Sequence, residues 1–182
     1  MLTLGLDSFI VLSDADQYFQ QRLHSSDWPQ AQAIPDPAGY PNADHYTETV
    51  TRIAAENETR ALRLESALRT ATAILDRQQW RGFVTAYSQP LAWPRQGLAD
   101  GEGRIIPADA VPLPVQHAAA ELALALLRND LTRDDRQGIA ARQVGDLRIQ
   151  YRPTMNDPLP RLVRDLLRPF LLTDAHGAPL IP

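Results

Sequence analysis

Between residues 46 and 79, apolar side chains recur at Ile53, Ala61, Leu64, Leu68, Ala71 and Leu75, intervals that keep one face of a helix apolar. The spacing predicts a long helix over 46–79, with Asn57 as its polar interruption. Glu48 and Arg52, Glu56 and Arg60, and Glu65 and Arg69 stand four residues apart with the acid first. They read as a solvated face, each pair contributing about 0.2 to 0.5 kcal/mol. Upstream, the apolar run 9–12 leads into Ser13, Asp14, Ala15 and Asp16. This predicts a helix over 14–23, with Ser13 as N-cap and acids where the helix dipole favours them.

A third helix is expected over 115–129, opened by Pro112 or Pro114. Val115, Ala118, Ala119, Leu122 and Leu126 share one face, and Ala120, Leu124, Leu127 and Leu131 a second. A helix apolar nearly all round is buried on more than one side, at the centre of the monomer or between subunits. Further on, Leu147, Ile149 and Tyr151 alternate with Arg148, Gln150 and Arg152, the period of a short half-buried strand. Asp157 and Pro158 predict the cap and first residue of a last short helix with Leu159, Leu162, Val163, Leu166 and Leu167, ended by Pro169.

Two stretches break these patterns. Residues 24–45 hold Pro29, Pro35, Pro37 and Pro41 with Gly39, and read as a loop because proline removes amide donors and breaks helices. Residues 81–111 hold Gly82, Pro90, Pro94, Gly97, Gly101, Gly103 and Pro107, and a connection of that length suggests an interaction role. The tail 169–182 carries apolar Phe170, Leu171, Leu172, Leu180 and Ile181 around a polar turn, and such a segment needs a host surface. The expected fold is mainly α: a small helical bundle over 1–168 with a short β element and long loops, then an extended C-terminal arm.

Composition narrows the chemistry. With 182 residues, 44% of them hydrophobic, the chain can bury a core as one domain. It has no cysteine, which removes disulfides, thiolate metal sites and a Cys nucleophile. All eighteen basic residues are Arg, which removes the P-loop lysine and Schiff-base chemistry. His24, His45, His117 and His176 lack zinc spacing, and Asp100-Gly101-Glu102 and Asp134-Asp135 lack the spacing of a calcium loop. No nucleophile elbow is present. The expectation is a protein without enzymatic activity, metal or cofactor. No apolar run reaches the ~20 residues that span a bilayer, and residues 1–12 lack the pattern of a signal peptide, so a cytoplasmic protein is expected. The formal net charge of -4 argues against gripping nucleic acid through many phosphates. Trp28, Trp80 and Trp93 with nearby arginines could form a stacking groove for single-stranded nucleic acid, although aromatic residues more often anchor cores and interfaces.

Two stretches carry a resemblance. The first is residues 7–19, with a Ser-aromatic pair ahead of an acid-capped helix containing Tyr18 and Phe19. The second runs through Leu91, Ala92, Trp93, Pro94, Arg95 and Gly97, then Ile106-Pro107, Val111-Pro112 and 118–124, Val144-Gly145, 149–151 and 166–169. In this order they resemble a family of phage head-tail connector (adaptor) proteins often labelled DnaT-like single-stranded-DNA-binding proteins. The Pro-rich 24–42 segment and the extended long helix depart from that pattern. The resemblance implies a structural subunit of a phage neck, assembled in the host cytoplasm into a twelve-fold ring. That ring would dock on the portal, receive a head-completion or tail-terminator protein, and pass packaged double-stranded DNA without reading its sequence, with no membrane involved. Ala120, Leu124, Leu127 and Leu131 would then lie between subunits, Phe170, Leu171, Leu172, Leu180 and Ile181 would form the portal-docking arm, and Trp93, Pro94 and Arg95 would be the motif residues. An accessory single-stranded-DNA-binding protein is the alternative.

Overall fold

Helix α3 (Leu113–Arg128) runs through the centre of the molecule, which is why its apolar residues cover more than one face. In this computed structural model, residues 1–128 and 159–172 are described in full, together with the backbone of the strands 141–144 and 147–150. The other α-helices are α1 (Leu12–Gln21), α2 (Ala43–Asp76) and α4 (Arg161–Leu167). α3 packs against all three. The strands form two antiparallel pairs: β1 (Phe83–Val84) with β2 (Arg95–Gln96), and β3 (Ala141–Val144) with β4 (Leu147–Gln150). A mainly helical chain with a short β element is therefore the observed class. The strand expected at 147–151 is β4, with Tyr151 outside the described residues.

Two caps differ from expectation. Helix α1 starts at Leu12, so Ser13 lies inside it and bonds Asp14 Oδ1 at 3.2 Å instead of capping. Burial of Phe9 and Ile10 fixes this start, because Ser8 and the Phe9 N–H are tied to the Thr72 hydroxyl on α2. Helix α4 begins at Arg161 with Pro160 at its N-cap, two residues beyond Leu159, and Asp157 lies outside the described residues. The helix does end before Pro169. On α2, Asn42 caps the start by accepting from His45 N at 2.8 Å.

Charge pairing on α2 also departs from the expected pattern. Arg52 meets Glu56 at 2.7 Å, leaving Arg60 for Asp16 of α1. Only Glu65 and Arg69 pair as expected, at 3.5 Å, and Glu65 is buried. Asp16 is a junction, because it also accepts from the Trp28 indole at 2.7 Å, while Trp28 stacks on Phe19 with centroids 4.5 Å apart. Arg60 Nε reaches Pro29 O at 2.8 Å, and the Asn57 amide both accepts from Gln32 N and donates to Gln32 O. The Pro-rich loop is thus fastened along α2, with one 3-10 turn at Pro37–Gly39.

α1 and α3 are joined by a polar clasp. Glu121, 7% exposed, accepts from the Tyr18 hydroxyl at 2.7 Å and pairs with Arg22. Tyr18 stacks on His117 with centroids 4.3 Å apart. Burial first, and Glu121 second, push the Tyr18 hydroxyl up to about 12, while burial lowers His117 below the usual imidazole value. The folded Tyr18 value lies above the ~10 of an unfolded tyrosine, so its contribution is complete below pH ~10 and is lost as pH rises toward 12. Denaturant unfolding across that interval should show falling stability, with a shallower fall in Tyr18→Phe. An equal slope in the variant would contradict the clasp.

Candidate nucleic-acid interface

The segment from Arg81 to Ala110 starts as a sequence crowded with glycine and proline, and its order comes from side chains more than from strands. Trp93 is fully buried and meets Trp80 and Phe170 edge to face, with centroids 5.5 and 5.8 Å away. The Trp93–Pro94 peptide is cis. Next in the chain, the Arg95 guanidinium donates to four backbone carbonyls: Arg81 O at 2.7 Å, Gly82 O at 2.8 Å, Ala92 O at 3.1 Å and Trp80 O at 3.4 Å. Half-burial lowers its pKa from the usual arginine value. Trp93, Pro94 and Arg95 therefore act as the internal anchor of the loop.

Three further side chains close it. Gln89 accepts from Thr85 N and Ala86 N at 2.9 and 3.0 Å and donates to Leu91 O and Pro94 O, which shapes the 85–90 turn. Thr85 Oγ1 donates to Ala108 O at 2.8 Å. Asp100 accepts from Glu102 N and Arg104 N at 2.9 Å each and pairs with Arg104 Nε at 2.7 Å, so it is a turn cap. Gly82 has φ +72°, and a Cβ there would sit 2.6 Å from Gln96 O, so the β1–β2 crossing admits glycine alone.

With the inside occupied by these anchors, the outside carries what is left. Phe83 is 73% exposed, and Tyr87 and Ile105 stand almost wholly in solvent. One edge of the Phe83 ring faces Gly97, where a Cβ would sit 3.7 Å from Phe83 Cδ2. Arg81 begins the segment, donates to Pro169 O at 3.0 Å and pairs its N–H with Phe170 O at 2.8 Å, which brings the exposed Arg168 of the α4 C-cap to the same end. Exposed aromatic rings can stack bases, and exposed guanidinium groups can contact phosphates. Among the described residues, no group of three or more His, Cys, Asp or Glu could hold a metal ion, and no helix is long and apolar enough to cross a membrane.

The residues expected to carry function are placed differently. Trp28, Trp80 and Trp93 are all buried, so none offers a face to a base. Ala120 and Leu124, expected between subunits, are core residues covered by the chain itself; Leu127 is half-buried and Leu131 lies outside the described residues. Of the expected arm, Phe170 and Leu171 belong to the core, held by the pairing of Leu171 with Trp80. Leu172 is partly exposed, and Leu180 and Ile181 lie outside the described residues. Phe83 and Tyr87 carried no expectation. Their signal was the company they keep: Gly82, Thr85, Ser88 and Pro90 make a turn that cannot bury a ring, whereas Trp93 sits among Leu91 and Ala92.

A family model described as "Putative DnaT-like ssDNA binding protein" matches residues 33–180. The chain belongs to this family. The matched span takes in α2, the anchored loop, α3 and α4, and leaves out α1 and Trp28. It agrees with the DnaT-like label of the resemblance and gives no support to the phage neck role. No curated protein and no solved structure matches the chain.

Proposed function

We propose that the chain is an accessory single-stranded-DNA-binding protein without catalytic activity, contacting the strand through the loop that presents Phe83 and Tyr87. The observation that carries this reading is two aromatic side chains, Phe83 and Tyr87, held in solvent by an internally anchored loop that starts at the exposed Arg81. Membership of the DnaT-like family supports it. Stacking tolerates any base, because every base has a π face, so binding is expected to be non-specific in sequence. With a net charge of -4 the affinity is modest and falls with salt.

Fluorescence anisotropy with labelled oligothymidylate tests the reading. Stacking is worth ~1 to 3 kcal/mol per base, so Phe83→Ser with Tyr87→Ser should weaken binding roughly 30-fold or more, without lowering the melting temperature. Wild-type affinity in the double variant would refute it.

A second reading is a structural subunit of a phage neck in the virion, ringing double-stranded DNA between the portal and a head-completion or tail-terminator protein. It is favoured by the acidic balance, since a channel wall surrounds DNA without gripping it, and by exposed leucines such as Leu4, Leu6 and Leu62 that a neighbouring subunit would cover. Ala120 and Leu124 take no part in such contacts. Solution mass at high concentration discriminates: a strictly monomeric chain that binds oligothymidylate through Phe83 and Tyr87 supports the first reading against the second.

A further inference from the structure

A cleft of about 360 Å³ opens between the Asp27–Pro29 segment, the middle of α2 and the C-terminal end of α3, lined by Asp27, Pro29, Arg63, Leu127 and Arg128. Among the described residues, the charges lining it do not balance. Three of the four arginines on α2 meet carboxylates: Arg52 with Glu56, Arg60 with Asp16, and Arg69 with Glu65 and Asp7. Arg63 is the exception: among the described residues it pairs with no carboxylate, and the residues three and four positions away, Thr59, Arg60, Ser66 and Ala67, are not acidic. Across the cleft Arg128 pairs with Asp27 at 2.6 Å, a pair in which both side chains are substantially exposed. Among the described residues, two guanidinium groups thus line one cleft with a single carboxylate, leaving one positive charge without a partner there.

We propose that this cleft is a phosphate-binding site in which Arg63 and Arg128 hold one oxyanion between them. The planar guanidinium offers paired N–H donors that match two phosphate oxygens, which a lone carboxylate on one side leaves unused. Asp27 acts as a competitor that the anion displaces from Arg128. Pro29 and Leu127 supply an apolar rim against which a sugar can rest. The phosphate chemistry stands by itself; that the phosphate belongs to a DNA strand rests on the single-strand reading above. From Arg63 to the end of α2 is about 20 Å of helix, so the cleft and the aromatic loop are separate contacts.

Two titrations of the full chain test it: inorganic phosphate by calorimetry, and oligothymidylate by anisotropy over a range of salt. Arg63→Gln should weaken phosphate binding roughly five-fold. It should also lower the slope of log affinity against log salt for oligothymidylate by about 0.7, the value of one single-strand phosphate contact. Asp27→Asn should strengthen phosphate binding, and Arg52→Gln, which removes a surface charge elsewhere on α2, should leave it unchanged. Equal phosphate affinity in wild type and Arg63→Gln overturns the site, as does an equal loss in Arg52→Gln. Phosphate binding that depends on Arg63 without any oligothymidylate binding sustains the cleft and removes the DNA reading. Oligothymidylate binding that needs Phe83 and Tyr87 but ignores Arg63, with no phosphate binding, does the reverse.

Discussion

Leu124→Arg should abolish the folded state at room temperature or leave it marginal. Leu124 is 1% exposed on a helix that has α1, α2 and α4 against it, so a guanidinium there is shut away from water, and the one carboxylate of α3, Glu121, is already taken by Tyr18 and Arg22. The core cluster to which it belongs includes Leu64, Leu68, Val163 and Leu167, all apolar. An unpaired buried charge costs about 3 to 5 kcal/mol, and the lost leucine burial adds about 2 kcal/mol. Against a total stability of roughly 5 to 15 kcal/mol, that is enough to unfold many domains of this size. Far-ultraviolet circular dichroism reads the outcome directly. A variant that keeps its helical signal and differs only in solution mass would place Leu124 at a subunit interface, against the packing described here.

Trp93→Ala should cost about 3 to 5 kcal/mol, the usual range for emptying a buried aromatic position. At roughly 2 to 4 °C per kcal/mol for a chain of this length, the melting temperature should drop by roughly 6 to 20 °C. The loss is larger than the cavity alone suggests, because Trp93 joins Trp80 after α2 to Phe170 after α4 and thereby fixes where the 81–110 segment leaves the core. Trp93→Phe should recover part of the difference. A drop of only a degree or two in Trp93→Ala would mean that the loop is held by Arg95 and Gln89 without the indole.

The helices were readable because their signal is local: Leu64, Leu68, Ala71 and Leu75 recur on one face of α2, and that face is buried. The two-sided apolar pattern of α3 was equally plain, yet it left two explanations open. Periodicity records that a face is covered without recording by what, and here Ala120 and Leu124 are covered by the chain's own helices. Caps were harder. Ser13 has the right composition for an N-cap, but burying Phe9 and Ile10 brings Leu12 into the helix first. The loop was least legible, since the bonds of Arg95 to the carbonyls of Trp80, Arg81 and Gly82 cross thirteen to fifteen positions of sequence and follow no period. The candidate contact residues, Phe83 and Tyr87, became visible only as the rings those anchors leave outside.

The four carbonyls gathered by Arg95 also bear on how the loop can diverge. Backbone oxygens are the same whatever side chain they belong to, so a single arginine held this way specifies a path without specifying the residues along it. Trp93, Pro94 and Arg95 thus act as a frame into which the outward positions 83, 87 and 105 can be written anew at little energetic cost. Chains that keep this frame should share the loop's course while differing in what it touches, so the three residues are a marker of architecture, and ligand preference is to be sought at the positions that vary around them.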